Sequence, residues 1–178
     1  DTNMALSVYE ILRKIGEIKQ DMLAKSFAEH FDRRRGYGMG ARMLMTQIKS
    51  GLEWKKQSRA MFGGSGSFGN GSAMRVPPLG AYFADDIPTV IEQAKLSSEI
   101  THMHPEGIAG GIAVAVGTAI AWQVRGKDIS RQDYIELVLP HIPESEVKQG
   151  TIKAQNLSDG LSMIEVVDEI GNGSKVSS

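Results

Sequence analysis

Twelve residues near the middle of the chain combine the residue types that bind phosphate through the main chain. They read Gly64-Ser-Gly-Ser-Phe-Gly-Asn-Gly-Ser-Ala-Met-Arg75. Because glycine adopts positive φ without strain, successive N–H groups in such a segment can point at one anion. Phe68 adds a flat surface suited to a nucleobase. The pattern predicts an anion-binding loop at the start of a helix, and the alternative interpretation is a flexible surface linker.

Two familiar phosphate-binding motifs do not fit this segment. Gly64, Gly66 and Gly69 have the spacing of the dinucleotide-binding fingerprint, but that motif must follow a buried strand. The preceding residues 52–59 are charged and have helical spacing instead. Asn70 stands where a P-loop requires lysine. What remains is the general prediction that backbone amides in this segment hold an anion.

Two histidines lie between two predicted helices, in Thr101-His-Met-His-Pro105. The pair can ligate a metal ion, but the sequence nearby offers no third ligand. A histidine at a helix junction more often caps or packs. If it is functional, His102 is expected to donate a hydrogen bond to a phosphate or a ribose hydroxyl. At the first positions, Asp1 and Thr2 offer oxygen ligands of the kind that Mg²⁺ prefers, although such a pair is also an ordinary helix cap.

The charge pattern argues against a nucleic-acid partner. Arg33, Arg34 and Arg35 form a short basic run, but the net charge of the chain is −1 and no aromatic residues are interleaved with the arginines. We therefore interpret the run as a solvated helix end, where positive charge complements the helix dipole.

The spacing of apolar residues is helical almost throughout and predicts an all-α fold. The first three helices are predicted from apolar positions three or four residues apart: Leu6, Tyr9 (or Val8), Leu12 and Ile15; Met22, Leu23, Phe27 and Phe31; Ala41, Leu44, Met45 and Ile48. Later helices are predicted to begin after Asp86, at Pro105 and after Ser130, and to cover about residues 144–156 and 161–170. No segment alternates apolar and polar residues as a strand does.

Composition narrows the class of protein further. The 178 residues are enough for one domain, and the absence of cysteine excludes disulfides and thiolate chemistry. A cysteine-free chain fits a reducing compartment, and we expect a cytoplasmic protein. The longest uncharged run includes residues 107–122, which are rich in glycine and alanine. We interpret it as a buried central helix rather than a membrane span.

Taken in order, several of these segments resemble the ADP-ribosylglycohydrolase family. The resemblance is carried by residues 1–5, 35–40, 66–75, 101–105 and 169–173. It implies an all-α fold of many orthogonally packed helices around a cleft with two Mg²⁺ ions, and ADP-ribose or an ADP-ribosylated protein as ligand. Residues 1–178 are expected to form a single helical domain, the central segment of a longer one. The family's further acidic metal motifs are expected to precede Asp1 and to follow Ser178.

The resemblance also implies roles for individual residues. Asp1 matches a metal ligand, Gly38 lies near the distal ribose, and His102 contacts the ligand. Phe62 and Phe68 flank the adenine. The pyrophosphate and the adenosine half are held by Gly66, Ser67, Phe68, Gly69, Asn70 and Gly71. No residue of the chain matches the family's catalytic glutamate.

The function implied by the resemblance is Mg²⁺-dependent hydrolysis that releases ADP-ribose from modified protein side chains or related conjugates. One alternative is a non-catalytic ADP-ribose-binding or structural protein on the same scaffold, like the lens crystallins of jellyfish that belong to the family. Another is a hydrolase for a different ADP-ribosyl or nucleoside compound.

Overall fold

The computed structural model describes residues 2–171, and within them the chain forms α-helices and no β-strand. The all-α prediction is thereby confirmed for this part of the chain. In order, the helices are α1 (Thr2–Ile15), α2 (Gln20–Glu29), α3 (Met39–Lys49), α4 (Trp54–Ala60), α5 (Pro77–Tyr82), α6 (Ile87–Glu99), α7 (Pro105–Gln123), α8 (Arg131–Val138), α9 (Glu146–Gln155) and α10 (Met163–Ile170). Short 3-10 turns cover Met61–Gly64, Ala73–Arg75 and Leu139–His141.

Helix α7 lies at the centre, where it contacts α5, α6, α8 and α9. Small residues let its neighbours approach closely. A Cβ atom at Gly80 of α5 would lie 2.2 Å from the carbonyl oxygen of Ala115, and one at Gly111 would lie 2.2 Å from Ser98 Oγ in α6. The predicted central helix is confirmed by this packing. By length and apolarity alone α7 could also cross a membrane, so the absence of a membrane span stays a prediction.

The predicted helix starts are confirmed where a side chain caps the helix. Asp86 accepts a hydrogen bond from the Thr89 amide at 3.1 Å, and Ser130 accepts one from the Asp133 amide at 3.1 Å. The last two helices begin two residues later than predicted, after the caps Ser145 and Ser162. An N-cap hydroxyl satisfies an amide of the first turn that the helix itself leaves free, and this fixes the starting residue.

The helix predicted from Leu6, Tyr9 (or Val8), Leu12 and Ile15 is present as α1, but Leu6, Tyr9 and Ile15 are exposed on it. The helix instead buries the side chains of Met4, Val8, Ile11 and Leu12. In this helix two apolar stripes satisfy the same spacing rule, and tertiary packing decides between them. In α2, Met22 is likewise exposed, and Phe31 lies beyond the end of the helix.

The interpretation of the arginine run as a helix end is also wrong. Helix α2 ends at Glu29, and Arg33, Arg34 and Arg35 lie in the irregular segment that follows it. There Arg34 Nη2 lies 2.9 Å from a carboxylate oxygen of Asp32. The hydrogen bonds from Arg34 lower the pKa of Asp32 to about 2. All three arginines are exposed, as expected for solvated charges.

Candidate functional site

A cleft of about 370 Å³ collects the predicted ligand-binding residues from segments that are distant in sequence. Met4 of α1, residues 36–41 at the start of α3 and the segment before α5 surround it. The cleft is lined by all but one of the side chains and loops predicted to bind ligand: Gly38, Phe62, Ser67, Phe68, Gly69, Asn70, Gly71 and His102.

Gly66 is the predicted binding residue that does not line the cleft. Its φ is +77°, and a Cβ atom there would lie 2.6 Å from the backbone nitrogen of His104. Any other residue would be strained in this conformation and would collide with the main chain of residues 103–104. Gly66 therefore acts on the site indirectly, because it lets residues 67–71, here called the glycine turn, pack against residues 101–104.

The conformation of the glycine turn differs from the prediction in two respects. Positive φ values occur earlier, at residues 62–64 and 66, and not at Gly69 or Gly71. A glycine is needed at residue 71 because the space beside it is filled: a Cβ atom added there would lie 3.0 Å from Cε1 of His102. The turn also does not begin a long helix, because only the 3-10 turn Ala73–Arg75 follows it directly. A helix dipole therefore contributes little to anion binding here, and the individual amides carry it.

Four main-chain amides of the glycine turn are not used by the hydrogen bonds of the fold. Within residues 2–171, the N–H groups of Ser67, Phe68, Asn70 and Gly71 have no acceptor in the protein. The amide of Gly69 makes only a long contact of 3.4 Å to Ser67 Oγ. Amides that the fold leaves without an acceptor in a concave surface form a binding site for the oxygens of a phosphate group.

Two aromatic side chains border the cleft close to these amides. The half-buried ring of Phe68 packs against the ring of His104, with 5.0 Å between the ring centroids. Phe62 is 54% exposed and has φ 51° and ψ 48°, which is the left-handed region. Gly40 lies beneath its ring, and a Cβ atom added to Gly40 would be 3.2 Å from Phe62 Cζ. A non-glycine residue in this conformation is uncommon, and such strain concentrates at functional sites.

Arg75 is a site residue whose role the sequence did not reveal. Its side chain is fully buried, lines the base of the cleft, and lies with Cζ 4.7 Å from the centroid of the Phe27 ring. Burial lowers the pKa of the guanidinium to about 9, so it stays charged at neutral pH. Among residues 2–171, no carboxylate lies within ion-pair distance of it. The available signal was its position at the end of the glycine-rich segment, which does not predict burial.

The two histidines of the 101–105 segment have different roles. His104 Nδ1 accepts a hydrogen bond from the Glu106 amide at 3.1 Å and so caps α7, as the structural interpretation of the pair proposed. His102 is 7% exposed and faces the cleft. Burial, and to a smaller extent the charge of Arg75, lower the pKa of His102 to about 3. Its imidazole is therefore neutral at physiological pH.

Residues 2–171 bring together no group of three or more His, Asp or Glu side chains that could hold a metal ion. Asp1, the predicted metal ligand, lies outside the described residues. The same holds for the second half of the 169–173 segment, which carried part of the resemblance. We therefore assign no step of a reaction to a metal ion bound by the described residues.

In residues 2–171, fold and cleft together define a helical protein whose pocket is bordered by aromatic rings and by main-chain amides without protein acceptors. A model of the ADP-ribosylglycohydrolase family matches residues 1–178, and the chain belongs to this family. The resemblance inferred from the short motifs is thereby confirmed.

Three relatives are each named ADP-ribosylhydrolase ARH3. The protein from Gallus gallus is 34% identical over 153 residues, covering 82% of this chain and 40% of the relative. The Xenopus tropicalis protein is 31% identical over 196 residues (97% and 55%), and the Homo sapiens protein is 30% identical over 200 residues (97% and 53%). The chain thus spans about half the length of these relatives.

The depressed pKa of His102 predicts an unusual acid titration. Above about pH 4 the ring should stay neutral in the folded protein, whereas in the unfolded chain it should gain a proton near pH 6.5. Because the unfolded chain then binds more protons, this residue's contribution to the free energy of unfolding is complete above pH 6.5 and decreases as the pH falls below it. An NMR titration of the His102 ring checks this, with the urea-unfolded protein as control. A midpoint near 6.5 in the folded protein would contradict it.

Proposed function

We propose that the protein containing this chain hydrolyses the bond between ADP-ribose and a modified protein side chain or a related conjugate. The observation that carries the proposal is the set of four free amides at residues 67, 68, 70 and 71 in one cleft. A diphosphate offers acceptor oxygens to such a set, and family membership together with the names of the relatives favours ADP-ribose as its source.

The other residues of the cleft suit the remaining parts of ADP-ribose. Phe68 and Phe62 offer ring faces to the adenine, as stacking on aromatic side chains is a general way of holding a base. The neutral ring of His102 lies beside the glycine turn, within reach of a ligand bound to the amides. Gly38 lines the same cleft on the side of α3, which suits the distal ribose.

In this proposal the described residues contribute binding and orientation rather than bond breaking. Cleavage at the anomeric carbon develops positive charge on the ribose, as in other glycosidic hydrolyses. Tight binding of the diphosphate and adenine, remote from that carbon, supplies the energy that positions the ribose for reaction. The groups that activate water are assigned to parts of the protein other than residues 2–171.

The proposal includes dependence on a divalent cation, for which Mg²⁺ is our choice because hard cations prefer the oxygen ligands implied for Asp1 and the family's acidic motifs. A cytoplasmic location and the absence of nucleic-acid and membrane partners stay predictions. The net charge of −1 supports the absence of a nucleic-acid partner, and the lack of cysteine supports the cytoplasmic location.

The activity is tested with the protein carrying every segment that its gene encodes. We expect it to release ADP-ribose from arginine-linked, serine-linked or polymeric ADP-ribose when Mg²⁺ is present, and to lose this activity in EDTA. Free ADP-ribose is measured by chromatography, and restoring Mg²⁺ after EDTA is the control. If ADP-ribose binds in calorimetry but no linkage is cut, the non-catalytic alternative is correct instead.

Replacing one aromatic side chain of the cleft should weaken the binding of ADP-ribose without unfolding the protein. Phe68→Ala should reduce the affinity for ADP-ribose by about 1–3 kcal/mol, the usual value for a base stacked on an aromatic ring. Tyr82→Ala is the matched control, because Tyr82 is an exposed aromatic residue of α5 that does not line the cleft. Calorimetry measures both affinities. Equal affinities for Phe68→Ala, Tyr82→Ala and the parent would mean that the adenine does not stack on Phe68.

A further inference from the structure

Three side chains beneath the glycine turn form a continuous chain of hydrogen bonds. Arg75 Nη1 lies 2.8 Å from Thr101 Oγ1, which in turn lies 2.6 Å from His102 Nδ1. We propose that Arg75 and Thr101 are positioning residues, which hold His102 in the tautomer that carries its proton on Nε2 and present that N–H to a ligand in the cleft.

The hydrogen bond between Arg75 and Thr101 has only one possible direction. A guanidinium has only donors, so Thr101 Oγ1 must be the acceptor. Arg75 is held in this orientation because its Nη2 donates to the carbonyl oxygen of Ser97 at 2.7 Å. The side chain is fully buried and cannot turn toward solvent for another partner.

The hydroxyl group of Thr101 needs an acceptor for its own proton. Thr101 is 3% exposed, and within residues 2–171 its Oγ1 has no hydrogen-bond partner besides Arg75 and His102. If His102 Nδ1 also donated, the hydroxyl proton would be buried without an acceptor, which proteins avoid. The hydroxyl therefore donates to Nδ1. A neutral imidazole that accepts at Nδ1 carries its proton on Nε2.

The Nε2 atom of His102 lies next to the glycine turn. Cβ atoms built on Gly69 and Gly71 would lie 3.7 Å and 3.3 Å from His102 Nε2, so this edge of the ring faces the glycine turn. Within residues 2–171 Nε2 has no hydrogen-bond partner, and it is not among the sealed polar atoms that lack one, which are Arg75 Nε and Ser97 Oγ. The Nε2–H group is thus open to an acceptor oxygen of a ligand.

The tautomer follows from contacts within the protein, whereas its use in binding ADP-ribose rests on the proposed function. The two parts are tested separately. ¹⁵N NMR of the histidine ring without ligand reports the tautomer, since protonated and unprotonated ring nitrogens have well-separated chemical shifts. We expect His102 in the parent protein at neutral pH to be protonated at Nε2 alone. Protonation at Nδ1, or a mixture of both tautomers, would overturn the proposal.

Variants at Thr101 test whether its hydroxyl sets the tautomer. Thr101→Ser keeps the hydroxyl and should keep the proton on Nε2. Thr101→Asp offers only acceptors, so the neutral ring should move its proton to Nδ1. A purely structural role for Thr101 would not reverse the tautomer. If the His102 ring stays protonated at Nε2 in Thr101→Asp, the hydroxyl of Thr101 does not set the tautomer and the proposal is refuted. If Thr101→Asp does not fold, Thr101→Val of similar shape should give a mixture of tautomers, and an unchanged single tautomer would refute it equally.

The ligand part is tested by titrating ADP-ribose into the ¹⁵N-histidine-labelled parent. We expect the Nε2 resonance to shift as its N–H gains an acceptor, while Nδ1 stays unprotonated. If the tautomer is as proposed and ADP-ribose binds without moving the Nε2 resonance, the positioning of an N–H for this ligand is wrong. If ADP-ribose does not bind at all, the proposed function fails, and the tautomer measured without ligand still stands or falls on its own.

Discussion

The site depends on one buried cation. Taking a guanidinium out of water is costly unless its hydrogen bonds are satisfied, and within residues 2–171 Arg75 has no carboxylate to pair with. Its partners are the carbonyl oxygen of Ser97 in α6, the hydroxyl of Thr101, the sulfur of Met4 and the ring face of Phe27 in α2, while its Nε has no partner among the described residues. These contacts tie the segment after the glycine turn to α1, α2 and α6 and to the 101–104 loop. The turn is therefore held in one position relative to His102.

Close packing of glycine completes this arrangement. Gly66 lets the turn lie directly against the backbone of residues 103–104, and a Cβ on Gly107 of α7 would lie 2.7 Å from the carbonyl oxygen of Ser67. At these positions any side chain would push the turn away from α7 and the loop. The close packing thus fixes the turn in a conformation that leaves the amides of residues 67, 68, 70 and 71 without protein acceptors, and such preorganisation favours ligand binding.

Much of this architecture could be predicted from the sequence, because the relevant signals are local. Asp86, Pro105 and Ser130 mark helix starts through the chemistry of their own first turns, and the glycine-rich segment, predicted from its composition to be a binding loop, lines the cleft. Spacing alone does not decide which face of α1 is buried, because Met4 and Leu6 are both apolar, and only the position of the other helices selects Met4. The role of Arg75 was missed for the same reason. Nothing local distinguishes a buried arginine from a solvated one, since burial depends on Thr101 and Ser97 arriving from another part of the chain.

In the proposed function, the main-chain amides of the glycine turn bind the diphosphate of ADP-ribose. This binding is tested most directly by following the ¹H–¹⁵N resonances of Ser67, Phe68, Asn70 and Gly71 while ADP-ribose is added, with adenosine as the ligand that lacks the diphosphate. We expect ADP-ribose to shift all four amide protons downfield, because they gain charged acceptors. Adenosine should not shift them. ADP-ribose that binds while these four resonances stay in place would contradict this expectation.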